Sequence, residues 1–261
     1  MLTSQRKKII LEKLAEDGQV VAKQLSEMFG LSEDTLRRDL RELDSEGLLQ
    51  RVHGGALPVS PAIATFAERN GQESTAKRAI AKAAAAMIAP GQVVIIDGGT
   101  TSAELVKHLP PTLEATIVTH SPSVAVGLVD HPKVEVILIG GRLYKHSIVS
   151  VGAAAVEAMS HIRADIYFMG VTGVHPTAGL STGVHPTAGL STGDLEEAYI
   201  KRALAARAAE TVVLASAAKL NAASQYAIGD LSLAQSIIVE RSTDATLIAP
   251  LEQAGLTVIK A

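Results

Sequence analysis

The sequence predicts two domains: a small N-terminal α+β domain, and a larger C-terminal α/β domain with a mostly parallel sheet. Residues 1–57 carry three short amphipathic segments followed by a glycine-containing turn. From Lys77 onward, buried β-rich runs alternate with helical segments of about ten residues, a pattern typical of βαβ units. Aromatic residues make up only 3% of the 261 residues, so both cores must be built from aliphatic side chains.

The N-terminal segment predicts three helices and a β-hairpin. The helices are expected at Ser4–Glu16, at Val21–Phe29 with an apolar stripe of Val21, Leu25, Met28 and Phe29, and from the N-cap Ser32 to about Ser45. On the third helix, Leu36, Leu40 and Leu43 share one face, so Arg38 and Arg41 project from the opposite side. The run LLQRVHGGAL then predicts two short strands around a turn.

Three helices followed by a hairpin describe a winged helix-turn-helix, whose third helix enters the major groove of DNA. The candidate DNA-binding residues are Ser32, Thr35, Arg37, Arg38, Arg41, Arg51 and His53. The alternative is that the arginines only solvate a helix face and pair with Glu33, Asp39 and Glu42. Residues 1–57 hold nine basic and ten acidic side chains, so DNA affinity would depend on a few placed arginines and on dimerisation.

Residues 58–75 contain two Pro and no clear periodicity, which predicts a linker between domains at 1–57 and 76–261. Helices of the second domain are expected at Lys77–Ala89, Ala103–Leu109, Pro122–Val129, Ala153–His161, Leu195–Glu210 and Ala245–Gly255. Strands are expected at Gln92–Ile96, Ala115–Thr119, Val134–Ile139, Asp165–Met169, Thr211–Ala215, Ile237–Glu240 and Thr257–Ile259.

A glycine-rich loop, Asp97–Ser102, lies between a predicted strand and a helix N-terminus, where backbone N–H groups favour an anion. It matches no nucleotide-binding motif, and a simple tight turn is the alternative. Thr119-His120-Ser121 and Gly140-Gly141 end the next two strands. Loops at the carboxyl edge of one parallel sheet converge on a crevice, so we expect a single ligand site there.

The run LSEDTLRRDLRELDSEGLLQRVHGGA, Leu31–Ala56, resembles the signature of the DeoR family of bacterial transcriptional regulators. The resemblance extends along the whole chain. Asp97–Thr101 is similar to the family's D-S-G-T-T loop, Thr119–Ser121 to its T-N-S, and the segment around Lys219 to its D-S-S-K. The sequence departs from the family at His120, in place of Asn, and at Ser216, in place of Asp.

The resemblance implies a DNA-binding domain joined to a sugar-phosphate sensor similar in fold to ribose-5-phosphate isomerase. Gly98–Thr101 would cradle phosphate, His120 and Ser121 would contact phosphate or sugar, and Lys219 would supply a cation. The full set of expected effector-binding residues is Asp97, Gly98, Gly99, Thr100, Thr101, Thr119, His120, Ser121, Gly140, Gly141 and Lys219.

The isomerases resemble this chain at Ala164–Val174 but carry carboxylates after the strand. Met169 and Thr172 stand where those acids are expected, and Asp165 lies at the strand's start. Because isomerisation needs a general base, we expect no enzyme activity and no catalytic residue. The chain is therefore interpreted as a regulator, most simply a repressor of a carbohydrate catabolic operon. The alternatives are a sugar-phosphate isomerase with an accessory DNA-binding module, and an oligomeric scaffold.

Expected partners are a double-stranded DNA operator, a phosphorylated sugar and further copies of the chain. No cofactor or metal is expected, since the sequence has no Cys and its eight His residues show no ligand spacing. The apolar runs are too short for a bilayer and no signal peptide is evident, so a cytoplasmic protein with no membrane partner is expected.

The chain contains a ten-residue tandem repeat, GVHPTAGLST, at Gly173–Thr182 and again at Gly183–Thr192. Two copies of this length do not make a solenoid. We expect the second copy to occupy the family position beside the ligand and the first copy to bulge out. Deleting one copy should then strengthen effector binding.

Overall fold

The computed structural model describes residues 2–52, 54–59, 66–71, 75–176, 189–224 and 226–261. The N-terminal domain contains helices α1 (Thr3–Asp17), α2 (Ala22–Phe29) and α3 (Glu33–Ser45), and strands β1 (Val20–Val21), β2 (Gln50–Val52) and β3 (Gly55–Leu57). The strands form an antiparallel sheet in the order β1-β3-β2. The predicted three helices and hairpin are confirmed, whereas β1 was not predicted.

Helix α3 is fixed by its cap and by its apolar face. The side chain of Ser32 accepts a hydrogen bond from the backbone N–H of Thr35, which satisfies one of the unpaired amides of the first turn. Leu36, Leu40 and Leu43 are buried in the core against α1 and α2, as their spacing predicted. Met28 departs from its predicted apolar stripe, because it is 48% exposed at the end of α2.

Two acidic residues of α3, Asp39 and Glu42, pair with basic residues of α1. Arg6 donates two hydrogen bonds, from Nε at 2.5 Å and Nη2 at 2.9 Å, to the buried carboxylate of Asp39. Lys7 pairs with Glu42 and Glu46 at 3.1 and 3.0 Å. Asp39 and Glu42 are therefore occupied by α1 and do not pair with the outward arginines, contrary to the alternative interpretation.

Between the two domains, helix α4 (Phe66–Gly71) lies within the predicted linker. The C-terminal helices are α5 (Thr75–Ala86), α6 (Thr100–Lys107), α7 (Pro122–Gly127), α8 (Ala153–Met159), α9 (Leu195–Ala205) and α10 (Ala245–Gln253). The strands before the repeat are β4 (Val93–Ile96), β5 (Ala115–Thr119), β6 (Val134–Leu138), β7 (Arg142–Tyr144), β8 (Val149–Val151) and β9 (Ala164–Gly170). The remaining strands are β10 (Gly173–His175), β11 (Gly189–Thr192), β12 (Ala208–Leu214), β13 (Tyr226–Gly229), β14 (Ser236–Val239) and β15 (Thr257–Lys260).

A seven-stranded parallel sheet in the order β15-β14-β12-β9-β4-β5-β6 forms the centre of the C-terminal domain, which confirms the predicted α/β class. The chain runs outward from β4 through β5 to β6, and then crosses to the other side of β4 at β9. Open α/β sheets bind ligands at the carboxyl ends of strands where the order reverses in this way. The topology therefore places a crevice after β4 and β9.

Three features of this domain were not predicted. Strands β7 and β8 form a hairpin, and β10, β11 and β13 form a small antiparallel sheet. Helix α9 ends at Ala205 instead of Glu210, because residues 208–210 already pair with β9 in the sheet.

The tandem repeat contributes one strand from each copy. Gly173–His175 of the first copy pairs antiparallel with Gly189–Thr192 of the second, with Gly173 opposite Ser191. All seven of these residues are buried. The expectation that the whole first copy bulges is therefore wrong for its first three residues; residues 177–188 lie outside the described part of the chain.

Deleting residues 176–185 should stabilise the protein. The deletion leaves both strands intact and shortens their connection from thirteen residues to three. Because the entropic cost of closing a connection grows with its length, we expect the free energy of unfolding to rise by about 1 kcal/mol. Urea denaturation measures this change, and a lower unfolding free energy in the deletion variant would contradict it.

Candidate functional site

A cavity of about 150 Å³ opens at the carboxyl ends of β4 and β9. A single water molecule needs roughly 10 to 15 Å³ of such a cavity, so there is room for a small phosphorylated sugar. Its lining combines glycines, hydroxyl groups and charged side chains. The lining residues are Gln50, Arg69, Gly98, Gly99, Thr100, Thr101, Ser102, Tyr144, His146, Ser147, Gly170, Val171, Thr172, Thr192, Gly193, Glu197, Lys201, Lys219 and Ser224.

The floor of the cavity is organised by the fully buried carboxylate of Asp97. Its Oδ1 accepts a hydrogen bond from the N–H of Gly98 at 2.8 Å, and its Oδ2 accepts one from the N–H of Gly170 at 2.8 Å. The ammonium of Lys201, on α9, pairs with the same Oδ2. One side chain therefore joins the ends of β4 and β9 to α9.

The loop after β4 brings backbone and hydroxyl donors to the cavity. A side chain on Gly98 would overlap Val149, so only glycine fits there. Gly99 has a φ of +106° and precedes α6, whose first-turn amides have no acceptor within the helix. Thr100 and Thr101 add hydroxyl groups in the same wall. This arrangement suits an anion with several oxygen atoms.

The cavity contains more positive than negative side chains. Arg69, Lys201 and Lys219 line it together with one carboxylate, Glu197, which accepts a hydrogen bond from Thr192 at 3.0 Å. Burial, followed by the nearby charges of Arg69 and Lys201, lowers the pKa of Lys219 to about 7. A bound anion would compensate this repulsion and favour the protonated lysine.

Five of the predicted effector residues line the cavity: Gly98, Gly99, Thr100, Thr101 and Lys219. Six lie outside its wall: Asp97, Thr119, His120, Ser121, Gly140 and Gly141. The two glycines follow β6, an edge strand two positions from β4, so their loop does not reach the crevice.

The loop after β5 supports the cavity from behind. The carbonyl of His120 accepts a hydrogen bond from the N–H of Ser150 at 2.7 Å, and Ser121 Oγ donates to the carbonyl of Ile148 at 3.1 Å. These bonds fix the β7–β8 hairpin, whose residues Tyr144, His146 and Ser147 line the cavity. Burial lowers the pKa of His120 to about 4, so its ring is neutral at physiological pH.

Sequence reasoning missed several residues of the wall. Glu197 and Lys201 are four residues apart on α9, and their spacing on one helix face after the repeat was the available signal. Asp194 caps this helix by accepting a hydrogen bond from the N–H of Glu197. No local pattern pointed to Arg69 or Gln50, which reach the cavity from outside the predicted sensor domain.

The predicted DNA-binding residues lie on the outer side of α3 and on the hairpin. Arg37, Arg38, Arg41 and Arg51 are exposed, while Ser32 and Thr35 form the N-terminal cap of α3. Arg37 pairs with Glu33 at 2.7 Å, as the alternative interpretation expected for this residue. Arg38 and Arg41 make no ion pair with any residue that the structure describes. His53 lies outside the described residues.

Neither a metal-binding cluster nor a membrane-spanning helix occurs among the described residues. No group of three or more His, Asp or Glu side chains is placed to hold a metal ion within them. None of the helices in those same stretches is both long and apolar enough to cross a membrane.

Family models match both parts of this architecture. A DeoR-like helix-turn-helix domain matches residues 6–62, and a DeoR C-terminal sensor domain matches residues 72–241. This chain belongs to the DeoR family. The resemblance inferred from Leu31–Ala56 is thereby confirmed, and with it the function of a DNA-binding transcriptional regulator.

Individual relatives agree with the family assignment. The DeoR-family chain is 33% identical over 261 residues to an HTH-type transcriptional regulator, GlpR, of Haloferax volcanii, covering 99% of this chain and 98% of the relative. It is 28% identical over 241 residues to the glycerol-3-phosphate regulon repressor of Escherichia coli, covering 92% of each. These relatives are named as regulators and not as enzymes, which disfavours the isomerase alternative.

The sensor domain is also similar to ribose-5-phosphate isomerase from Methanocaldococcus jannaschii, with 18% identity and a TM-score of 0.37 over 55% of this chain and 52% of that one. Asp165, which the sequence placed at the start of its strand, lies at the amino end of β9, where it accepts a hydrogen bond from the N–H of Val93 at 2.8 Å. It is therefore at the edge of the sheet opposite to the cavity.

Replacing Asp97 should destabilise the sensor domain strongly. Asp97→Asn removes the negative charge that compensates the buried ammonium of Lys201, and breaking a buried ion pair in this way costs about 3 to 5 kcal/mol. The double variant Asp97→Asn/Lys201→Met should recover part of the loss. Glu12→Gln, which breaks an exposed pair with Lys8, is the control and should change stability by less than about 1 kcal/mol. Thermal denaturation with equal melting temperatures for D97N and E12Q would contradict the organising role of Asp97.

Anion binding should weaken as the pH rises. Sulfate keeps its charge between pH 6 and 8.5, whereas Lys219 loses its proton around its pKa of about 7. We expect sulfate affinity to fall by about tenfold over this range in calorimetric titrations at constant ionic strength. Lys219→Met should bind sulfate more weakly and show a flatter pH profile, because the group that titrates near pH 7 is gone. An equally steep profile in K219M would contradict the assignment to Lys219.

Proposed function

We propose that this DeoR-family regulator is a repressor of a carbohydrate catabolic operon, and that a phosphorylated sugar is its effector. The observation that carries the proposal is the cavity after β4 and β9, which combines a glycine-rich helix N-terminus with the cations Arg69, Lys201 and Lys219. A phosphoryl group satisfies such donors, and the remaining hydroxyl and amide groups suit a sugar. The name of the Escherichia coli glycerol-3-phosphate regulon repressor supports the sign of regulation and a link to the metabolism of a phosphorylated compound.

Within the cavity, Gly98, Gly99, Thr100 and Thr101 would hold the phosphoryl group, and Lys219 would supply a positive charge. Asp97 would act indirectly, since it lies beneath the loop and fixes the N–H group of Gly98. The loop Thr119–Ser121 would likewise act by holding the β7–β8 hairpin, which replaces the direct ligand contact expected for His120 and Ser121.

In the N-terminal domain, Arg38 and Arg41 would contact base edges or phosphates from α3. They are exposed and form no ion pair among the described residues, while Asp39 and Glu42 of the same helix pair with α1. Ser32, Thr35 and Arg37 would contact the backbone, and Arg51 and His53 would do so from the wing. One recognition helix covers only a half-site, so the active form would be a homo-oligomer that binds two half-sites.

We infer that the DNA-binding domain spans residues 1–57, the linker residues 58–75 and the sensor residues 76–261. We also infer that the protein acts in the cytoplasm, where its operator and effector would both occur. Effector binding would change the relative placement of paired DNA-binding domains and so lower operator affinity.

A gel-shift assay on the promoter adjacent to the gene tests the proposal. We expect a sequence-specific, salt-dependent complex that a phosphorylated sugar dissociates and the same sugar without phosphate does not. Arg38→Gln and Arg41→Gln should each weaken the complex by about tenfold without changing the melting temperature. Arg163→Gln, an exposed arginine at the amino edge of the main sheet, is the matched control.

Two results would contradict the proposal. Equal binding of specific and unrelated DNA would remove the role of a sequence-specific regulator. A specific complex that no member of a panel of pentose, hexose and triose phosphates affects, together with no thermal stabilisation by any of them, would remove the phosphorylated effector.

A further inference from the structure

The side chain of Arg69 lines the cavity with two buried donors that have no hydrogen-bond partner among the described residues. It comes from helix α4, outside the main fold of the sensor, and it lines the cavity beside the loop after β4. Its Nε and Nη2 atoms are buried, yet neither has a hydrogen-bond partner among the residues that the structure describes. Burial lowers the pKa of this guanidinium, although the nearby carboxylate of Glu197 partly offsets the effect. Leaving buried donors of a charged group unsatisfied is costly, so this position requires an acceptor.

The two unsatisfied atoms specify which acceptor fits. Nε and Nη2 are the pair that lies along one edge of a guanidinium and donates two parallel hydrogen bonds to two oxygens of one group. The N-terminal domain of the same chain contains the satisfied form of this fork, because Arg6 uses Nε and Nη2 to hold both oxygens of Asp39. At Arg69 no protein carboxylate fills the corresponding place within the described residues.

We propose that Arg69 donates hydrogen bonds from Nε and Nη2 to two oxygens of the effector's phosphoryl group, and that effector binding thereby holds linker helix α4 in place. The proposal rests on the phosphorylated effector proposed above and adds to it a ligand contact from the linker. The glycine loop would hold the phosphoryl group from one side and Arg69 would close the site from the other.

Helix α4 is placed to pass this contact on to the DNA-binding domain. The N–H of Phe66 donates to the carbonyl of His146 at 3.0 Å, and Lys77 donates to the carbonyl of Arg69 at 2.6 Å, so both ends of the helix touch the sensor. On the other side, only residues 58–65 separate α4 from β3 of the wing. Gln50, on the paired wing strand β2, lines the same cavity. Occupancy of the cavity is therefore sensed by residues of the linker and of the wing.

The test uses inorganic phosphate as the probe, so it does not depend on knowing the sugar. Phosphate affinity is measured by calorimetry for the full-length wild type, Arg69→Gln, Arg69→Lys and the control Arg163→Gln. We expect a loss of about 10- to 100-fold in R69Q, because the charge and both donors disappear, and a smaller loss in R69K, which keeps the charge but not the fork. R163Q should bind as the wild type does.

Two further measurements separate ligand contact from a structural role. The Nε–H resonance of Arg69, assigned by its absence in R69K, should shift when phosphate is added to the wild type. Hydrogen exchange in residues 66–71 should slow with phosphate in the wild type and remain unchanged in R69Q.

The outcomes distinguish this inference from the proposed function. If the wild type binds phosphate and R69Q binds it equally well, the role of Arg69 is overturned while the anion site stands. If R69K equals the wild type and only R69Q is weak, the charge suffices and the two-oxygen fork is overturned. If the wild type binds neither phosphate nor any sugar phosphate, the anion site itself fails, and the proposed effector fails with it.

Discussion

The buried carboxylate of Asp97 is the interaction on which the sensor domain depends. It receives hydrogen bonds from Gly98, just after β4, and from Gly170, at the end of β9, and it pairs with Lys201 of α9, so three elements meet at one side chain. A buried charge is tolerated only when it is paired and fully hydrogen-bonded. The same bonds hold the start of the glycine loop beside the cavity at the ends of β4 and β9. Stability and ligand geometry therefore come from one network.

In the DNA-binding domain as well, the pairing of charged side chains decides which charges remain available for a ligand. Its acidic residues outnumber its basic residues, yet basic residues of α1 pair with the buried Asp39 and with the exposed Glu42 and Glu46. Arg38 and Arg41 then remain exposed on the outer side. A domain with no net positive charge can thus present a locally positive helix face. For such a domain, sequence selectivity depends more on the placement of these arginines than on total charge.

The tandem repeat shows how a fold accommodates extra sequence. The outer ends of the two copies form a hairpin of the small sheet, and the added length falls between its strands. Buried backbone pairing is kept because the ends of the duplicated unit have the same residues as the ends of a single unit. The sequence revealed the duplication, but which copy supplied each strand was decided by pairing with β13 and with the loop after β9.

The sequence by itself determined the order of the elements, the three-helix domain with its wing, the parallel sheet and the glycine loop at the end of β4. These features depend on local periodicity, capping and turn residues, which a single chain displays directly. Only the tertiary structure decided the wall of the cavity. It brought Lys201 to Asp97 across 104 positions and Arg69 in from the linker, and it left Gly140 and Gly141 two strands away. The reason is physical: strand order and the docking of α4 and α9 are set by long-range packing, for which no local pattern exists.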